Sequence, residues 1–192
     1  IANGICGSGT VLAAIPAGTR NNLCRSLGIP LSDIAEAVEI ALHGTQLLAD
    51  TGKIGNRYFL NDAEVIPAPP DKYAGLFLRA DDVELNANFV FAAVSNGRFF
   101  SAGSEISPRA GLDDGYFNIS VMNRAPVSPF WRYGAGVKSP GRGNYPLTTF
   151  KAKKIFLQSS SELEIRCDGE LLEIPSPYEI TVSECKIPVK AK

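Results

Sequence analysis

The hydrophobic periodicity of the chain changes at Gly44, and this change is the strongest constraint on its fold. Before Gly44, residues 33–43 carry apolar side chains at helical spacing, with Ser32 or Asp33 as a cap and Glu36 placed as in a capping box. After it, the period is that of strands as far as the C-terminus. A short α/β start followed by many strands predicts a mostly antiparallel β-sandwich joined to a piece of an α/β unit.

Turn dipeptides separate the predicted strands. Asn96-Gly97, Asp114-Gly115 and Asp168-Gly169 are typical of hairpins and bulges. The run at 10–16, TVLAAIP, predicts a buried strand that enters a Gly-Thr turn, and residues 22–27 predict a short helix after it. The later strands are predicted at residues 57–60, 75–78, 83–95, 115–122, 154–158, 162–167 and 179–182.

Two stretches follow neither period. Residues 62–71, DAEVIPAPPD, are Pro-rich and predict a surface connection, and residues 139–146, SPGRGNYP, predict a flexible loop. Between them, Phe130, Trp131 and Tyr133 favour a covered edge of the core over a platform for a ligand.

The composition argues against several classes of function. The 192 residues include 19 Lys and Arg against 20 Asp and Glu, so no basic field favours nucleic acid or an anionic surface. Cys6, Cys24, Cys167 and Cys185 form no CxxC pair, and His43 has no ligand at metal spacing, which argues against a zinc site or a histidine-based triad. With no signal peptide or membrane span in view, we expect a reducing cytoplasm and cysteines that are small core residues.

The stretch at 15–30, IPAGTRNNLCRSLGIP, allows two interpretations. Gly18 can adopt positive φ, Thr19 and Asn21 can cap a helix, and the unpaired N–H groups of that helix would suit a phosphate. The same residues also suit a plain connection between a strand and a helix, which is what most such turns are.

Acidic turns are the other candidates for chemistry. In IRCDGEL, a tight turn at Gly169 would point Asp168 and Glu170 into the same space, an arrangement that favours metal binding or a general base. The alternative is a hairpin turn with two solvated acids. Asp114 and Asp50 also precede predicted strands, and each suits either a turn or an oxygen ligand for a hard cation such as Mg²⁺.

The order of these motifs is more specific than any one of them. The chain carries, in this order, a PAGT-x-N turn, a helix, an Asp-x-Gly-x-x-x-x-Arg-Tyr-Phe-Leu-Asn strand, VSNGRFFSAG, SPRAGLDDGYFNI and a late CDGE. Together these motifs resemble those of the diacylglycerol kinase and sphingosine kinase superfamily of lipid kinases. The likeness is closest to the soluble bacterial branch and covers about residues 1–188. It implies transfer of the γ-phosphoryl group of ATP to a lipid hydroxyl, diacylglycerol-like or sphingoid, with Mg²⁺. Such transfer needs positioning and charge neutralisation more than a histidine.

The resemblance also implies two domains and a catalytic pair of acids. Residues 1–46 match the C-terminal part of an α/β nucleotide-binding domain and residues 47–192 a β-sandwich lipid-kinase domain, with the chain end free to pack back on the first. Asp168 matches the acid thought to be the general base on the lipid hydroxyl, and Glu170 matches the acid beside it, near nucleotide and metal.

The other implied site residues concern the cofactors. Gly18, Thr19 and Asn21 match the second nucleotide-binding turn, next to which Asn22 stands. Asp50 matches an acid of a water-mediated magnesium network. Asp114 matches an acid of a separate, structural magnesium site.

Three departures from the family pattern qualify this expectation. The Gly-Gly-Asp-Gly-Thr loop is absent from the 192 residues, Asn22 stands where an acid is expected, and a longer glycine-containing stretch and helix are missing after Leu60. We therefore expect an N-terminally truncated kinase, inactive as this fragment, or else a catalytically silent homologue that binds a lipid or a partner. The related NAD kinase group is disfavoured by the CDGE and PAGT-x-N motifs.

The resemblance also sets the expected partners. They are a nucleotide and a lipid at a membrane surface, with no nucleic acid and with a homodimer left open. The expected location is the cytoplasm, with peripheral contact to the membrane.

Overall fold

The structure, a computed structural model, describes residues 1–68, 73–100, 104–105, 107–123 and 147–192. The predicted loop at 139–146 and the aromatic residues of 130–133 lie outside these ranges. Within them the helices are α1 (Ala2–Ile5), α2 (Asn22–Ser26) and α3 (Ile34–His43). The strands are β1 (Thr45–Ala49), β2 (Gly52–Ile54), β3 (Arg57–Phe59), β4 (Asp62–Pro67), β5 (Ala74–Ala80), β6 (Val83–Phe89), β7 (Phe91–Ser95), β8 (Phe99–Phe100), β9 (Ser104–Glu105), β10 (Phe117–Met122), β11 (Leu147–Ala152), β12 (Lys154–Ser159), β13 (Leu163–Cys167), β14 (Glu170–Leu172), β15 (Tyr178–Val182) and β16 (Ile187–Ala191).

Two six-stranded sheets form the larger part of the described chain. One has the order β11-β10-β7-β4-β13-β14 and the other β3-β2-β15-β12-β5-β6, with antiparallel neighbours throughout. Their inner faces share one hydrophobic core, in which Phe59, Leu78, Phe117 and Ile155 are fully buried. The predicted antiparallel β-sandwich is confirmed.

The helices and the last strand form a second, smaller core. As predicted, α3 begins after Asp33, whose carboxylate accepts the N–H of Glu36 at 2.9 Å. Strand β16 pairs with β1, and its Val189 also forms a parallel bridge with Leu12. Val189 and Ala37 of α3 are fully buried in this core, so the first and last described segments pack as one unit.

Strand β4 corrects the prediction of a surface connection at 62–71 for residues 62–67, while residues 69–71 lie outside the described ranges. It lies between β7 and β13 in the middle of a sheet, with Ala63 and Val65 fully buried. Pro67 is tolerated because the pairing of β4 with β7 ends at Val65, so no strand needs the N–H that proline lacks. The predicted strand at 83–95 is also wrong as a single element, since β6 and β7 belong to different sheets and Val90 separates them.

The run at 10–16 is not the buried strand that its apolar residues predict. Val11 and Ile15 are about two-fifths exposed, at 39% and 41%, and the run pairs only where Leu12 meets β16. Residues 10–16 lie at the margin of the small core, beside the edge of β16 that β1 does not occupy, and only Leu12 and Ala14 of the run pack against that core.

The cysteines fall into two pairs with different roles. Cys24 and Cys167 are buried and free, as expected of small core residues. For Cys6 and Cys185 that expectation is wrong, because they are joined by a disulfide with their Cα atoms 6.0 Å apart. The bond ties the end of α1 to the segment between β15 and β16.

Candidate functional site

A tight turn at the end of β13 organises the candidate site. Asp168 and Gly169 both have positive φ, 49° and 86°, as the two central residues of a type I′ hairpin turn require. The turn joins Cys167 to its register partner Glu170, so the predicted hairpin is confirmed. Asp168 is an exposed residue at the turn, but its N–H donates to the carbonyl of Asp62 at 2.9 Å and its carboxylate folds back against residues 60–62.

The Asp168 carboxylate is held by three backbone amides. Its Oδ2 accepts the N–H of Leu60 at 2.8 Å, and its Oδ1 accepts those of Asn61 at 2.8 Å and Asp62 at 3.1 Å. A carboxylate has about four lone-pair directions, so one direction on Oδ2 remains for another donor. Burial raises the pKa of Asp168 above its usual value, and the three amide hydrogen bonds oppose this rise. The group is therefore fixed in place and still able to accept a proton.

Asp168 lies on the wall of a cleft of about 370 Å³ between the first segment of the chain and the sandwich. Apolar side chains such as Leu12, Leu23 and Leu60 form part of its lining. The remaining wall is rich in charge and amide groups. These come from Arg20, Asn22, Asn61, Asp62, Glu64, Asp168 and Glu170.

Asp62 and Glu64 of β4 add two acids that the sequence analysis missed. Asp62 is only 4% exposed, and its Oδ2 accepts the side-chain N–H of Asn61 at 2.8 Å. Burial raises the pKa of Asp62 well above its usual range, and the charges of Glu64 and Asp168 raise it further. Burial likewise raises the pKa of Glu64, and the guanidinium of Arg20 opposes the rise at both acids.

Glu170 differs from Asp168 although both line the cleft. Its side chain is 76% exposed and lies 3.8 Å from Nη2 of Arg57, a half-exposed partner. Such a surface pair contributes little to the free energy of folding. Both predicted catalytic acids thus line the same cleft, but the carboxylate of Asp168 is fixed by hydrogen bonds whereas the side chain of Glu170 is largely exposed.

The PAGT-x-N turn is braced by Asn21. Its side chain accepts the N–H of Gly18 at 2.9 Å and donates to the carbonyls of Gly18 at 2.6 Å and Pro16 at 3.2 Å. Asn21 occupies the N-cap position of α2 but does not cap it with its side chain, contrary to expectation. The cleft is lined by Asn22 but not by Gly18, Thr19 or Asn21. The side-chain Oδ1 of Asn22 is buried and accepts no hydrogen bond from the described residues.

Asp50 and Asp114, the predicted magnesium ligands, are not among the residues that line the cleft. Asp50 is fully buried, and its Oδ1 lies 2.8 Å from Nζ of Lys186. Oδ2 of Asp114 lies 2.6 Å from Nζ of Lys151. Each acid is thus already paired with an ammonium group, and the described residues contain no group of three metal-ligating side chains. As arranged, the two acids do not fit a resident magnesium ion.

A period-2 pattern was the signal that could have identified Asp62 and Glu64. In DAEV the acids alternate with Ala63 and Val65, which enter the core, so the acids must emerge on the opposite side of the strand. The prolines that follow obscured this pattern. Arg20 carried no signal of its own, because its position beside the cleft depends on residues more than forty positions away.

Two family models match the chain. The diacylglycerol kinase catalytic domain matches residues 1–54, and the YegS C-terminal NAD kinase beta sandwich-like domain matches residues 70–188. None of the helices in the part of the chain that the structure describes is long and apolar enough to cross a bilayer.

Curated proteins that are similar to this chain are named diacylglycerol kinases. A diacylglycerol kinase of Bacillus subtilis (strain 168) is 23% identical over 188 residues, and the match covers 83% of this chain and 62% of that protein. One from Staphylococcus aureus (strain JH9) is 27% identical over 191 residues, covering 83% and 59%. The chain thus spans about three fifths of the length of these relatives. The crystal structure of a diacylglycerol kinase from Bacillus anthracis str. Sterne has a TM-score of 0.73 at 25% identity, over 95% of this chain and 67% of that one.

Proposed function

The chain belongs to the family of bacterial diacylglycerol kinases, and from this premise we propose that it serves in the transfer of the γ-phosphoryl group of ATP to the hydroxyl of a lipid. The acceptor is a diacylglycerol-like or sphingoid lipid, presented at a membrane surface. Residues 1–46 would contribute to nucleotide binding and residues 47–192 to the acceptor site. A homodimer is compatible with this function.

The single observation that carries the proposal is the geometry of Asp168. A carboxylate with one unused acceptor direction, held on a cleft wall by three amides, suits a general base. The proton of the lipid hydroxyl passes to Asp168 as the oxygen bonds to the γ-phosphorus. The bond from that phosphorus to the bridging oxygen breaks, and ADP leaves. Glu170 would assist from the same cleft as the second acid.

The donor is proposed to be ATP with its magnesium ion as part of the substrate. Gly18, Thr19, Asn21 and Asn22 are the residues proposed to approach its phosphates, and the bracing of the turn by Asn21 supports a fixed backbone there. Phosphoryl transfer depends mainly on positioning and on neutralising charge, so backbone amides and cations suffice for the protein's share.

The test is a lipid phosphorylation assay on the protein as expressed from its own gene and on the 192-residue chain. We expect label from γ-labelled ATP in a lipid alcohol with the former, and little or none with the latter, because the 192 residues lack the Gly-Gly-Asp-Gly-Thr loop. In the active form, Asp168→Asn should lower turnover by roughly 10²- to 10⁴-fold, the usual contribution of a general base.

Asp81→Asn is the matched control for this substitution. Asp81 also has a φ of 49°, and its carboxylate also accepts backbone N–H groups, those of Lys153 and Lys154, but it lies outside the cleft. Turnover should be unchanged in this variant. Normal activity in Asp168→Asn would overturn the role of Asp168.

A second candidate function is a catalytically silent homologue that binds a lipid or a partner. Asn22 in place of an acid and the lysine partners of Asp50 and Asp114 favour it. It predicts binding of lipid vesicles without label transfer in any form of the protein. Label transfer that depends on Asp168 would exclude it.

A further inference from the structure

Asp50 is a fully buried carboxylate at which distant segments of the chain meet. Its N–H donates to the carbonyl of Leu112 at 2.6 Å, and its own carbonyl accepts the side-chain N–H of Asn96 at 2.7 Å. Its Oδ2 accepts the N–H of Gly115 at 2.7 Å. Asp50 directly follows β1, so it joins the smaller core to loops of the sandwich.

The other oxygen of Asp50 has a different partner. Oδ1 is buried and accepts no hydrogen bond from the residues that the structure describes. Nζ of Lys186 lies 2.8 Å from it, so the contact is an ion pair without hydrogen-bond geometry. A divalent cation is the other kind of positive centre that a carboxylate oxygen binds, at shorter distances of about 2.0–2.6 Å.

The backbone beside Lys186 is anchored at several points. Cys185 forms the disulfide with Cys6, and its carbonyl accepts the hydroxyl of Thr51 at 2.5 Å. The N–H of Ser183 donates to the carbonyl of Thr51 at 2.8 Å. These contacts fix the segment that carries Lys186 against Thr51, the residue that follows Asp50.

We propose that the ammonium group of Lys186 is the resident cation of Asp50 and takes the place that a divalent metal ion would otherwise fill. A buried carboxylate without a counter-charge is strongly destabilising. A lysine delivered by an anchored segment neutralises it without a metal. The union of the smaller core with the sandwich therefore does not depend on divalent ions, and this inference stands independently of the proposed function.

Thermal unfolding of the Lys186→Ala variant tests the proposal. The wild-type midpoint should change by less than about 1 °C between 10 mM MgCl₂ and excess EDTA, whereas Lys186→Ala should lower it by about 5 °C or more. Propylammonium chloride, which replaces the missing part of the lysine, or MgCl₂ should restore at least half of that loss. Tetramethylammonium chloride at equal ionic strength, which is too large for the site, should not.

Lys151→Ala is the matched control, because Lys151 and Asp114 form an ion pair in which both side chains are partly exposed. Its midpoint should fall by no more than about 2 °C, with no response to propylammonium. If Lys186→Ala does not fold, Asp50→Asn/Lys186→Ala should fold, since it lacks both charges. The proposal is overturned by a wild-type midpoint that depends on Mg²⁺, by a Lys186→Ala midpoint that no cation restores, or by failure of the double variant to fold.

Discussion

Asp168 and Asp50 are both aspartates held against the protein interior, but their partners differ in kind. Asp168 accepts hydrogen bonds from three neutral amides, whereas Asp50 has one amide and one ammonium group. Neutral donors fix a carboxylate without cancelling its charge, and Asp168 keeps an acceptor direction on the cleft wall. The lysine cancels the charge of Asp50 and closes its site. Burial alone therefore does not identify a functional acid, because the kind of donor decides whether the charge stays available.

The largest expected effect concerns the anchor of the Asp50 site. Breaking the Cys6–Cys185 bond, by reduction or by Cys6→Ser, releases a cross-link over a sequence separation of 179 residues. We expect a loss of about 5 kcal/mol in the free energy of unfolding, the chain-entropy value for a loop of this length. Denaturant unfolding with and without a reductant measures it.

Hydrogen exchange extends that prediction to the comparison of the two acids. With the bond broken, the Gly115 amide on Asp50 should exchange faster than in the oxidised protein, while the Leu60 amide on Asp168 should lose less protection. Cys24→Ser serves as a control that leaves the disulfide intact. Equal acceleration at both amides would show that the two sites are not independent.

The sequence predicted local features well, because their causes are local. The capping of α3 by Asp33 needs only Glu36, three residues away, and the Asp168-Gly169 turn needs only the positive φ that such a pair adopts readily. The change of period at Gly44 likewise predicted the sandwich. These features would be the same in many tertiary settings.

What the sequence did not predict depends on contacts between distant residues. The amides that hold Asp168 lie more than a hundred positions earlier in the chain. Cys6 meets Cys185 only because β16 returns to the first segment, and the split at Val90 depends on which sheet each flanking strand joins. Periodicity does not encode such pairings.

Removing a charge should have opposite effects in the two regions. Asp62 in the cleft is destabilised by burial and by its acidic neighbours, so Asp62→Asn should raise the melting temperature at pH 7. The folded protein holds the proton of Asp62 more tightly than the unfolded chain, so wild-type stability falls as pH rises from the ordinary pKa towards the raised one. The gain from the substitution should therefore shrink as the pH is lowered towards 4.

Asp50→Asn provides the contrast for that experiment. Here the charge is compensated, so its loss should lower the melting temperature at pH 7 by about 2–4 °C, which corresponds to roughly 1 kcal/mol in a chain of this size. Both variants are measured by thermal scans from pH 4 to pH 8. A destabilised Asp62→Asn at pH 7 would contradict the view that the cleft holds uncompensated acids.

The smallest effect is expected at Glu170, although it stands two residues from Asp168. Its ion pair with Arg57 spans 3.8 Å between largely exposed side chains, which solvent and salt screen. Glu170→Gln should therefore change the melting temperature by no more than about 1–2 °C, within the 0–1 kcal/mol usual for such pairs. Arg57→Gln should match it, and the double variant should show no coupling in a thermal scan at 150 mM salt. A loss of 5 °C or more in Glu170→Gln would mean that Glu170, like Asp50, is stabilised by a compensating charge. The proposed difference between the acids of the cleft and the lysine-paired Asp50 would then not hold for Glu170.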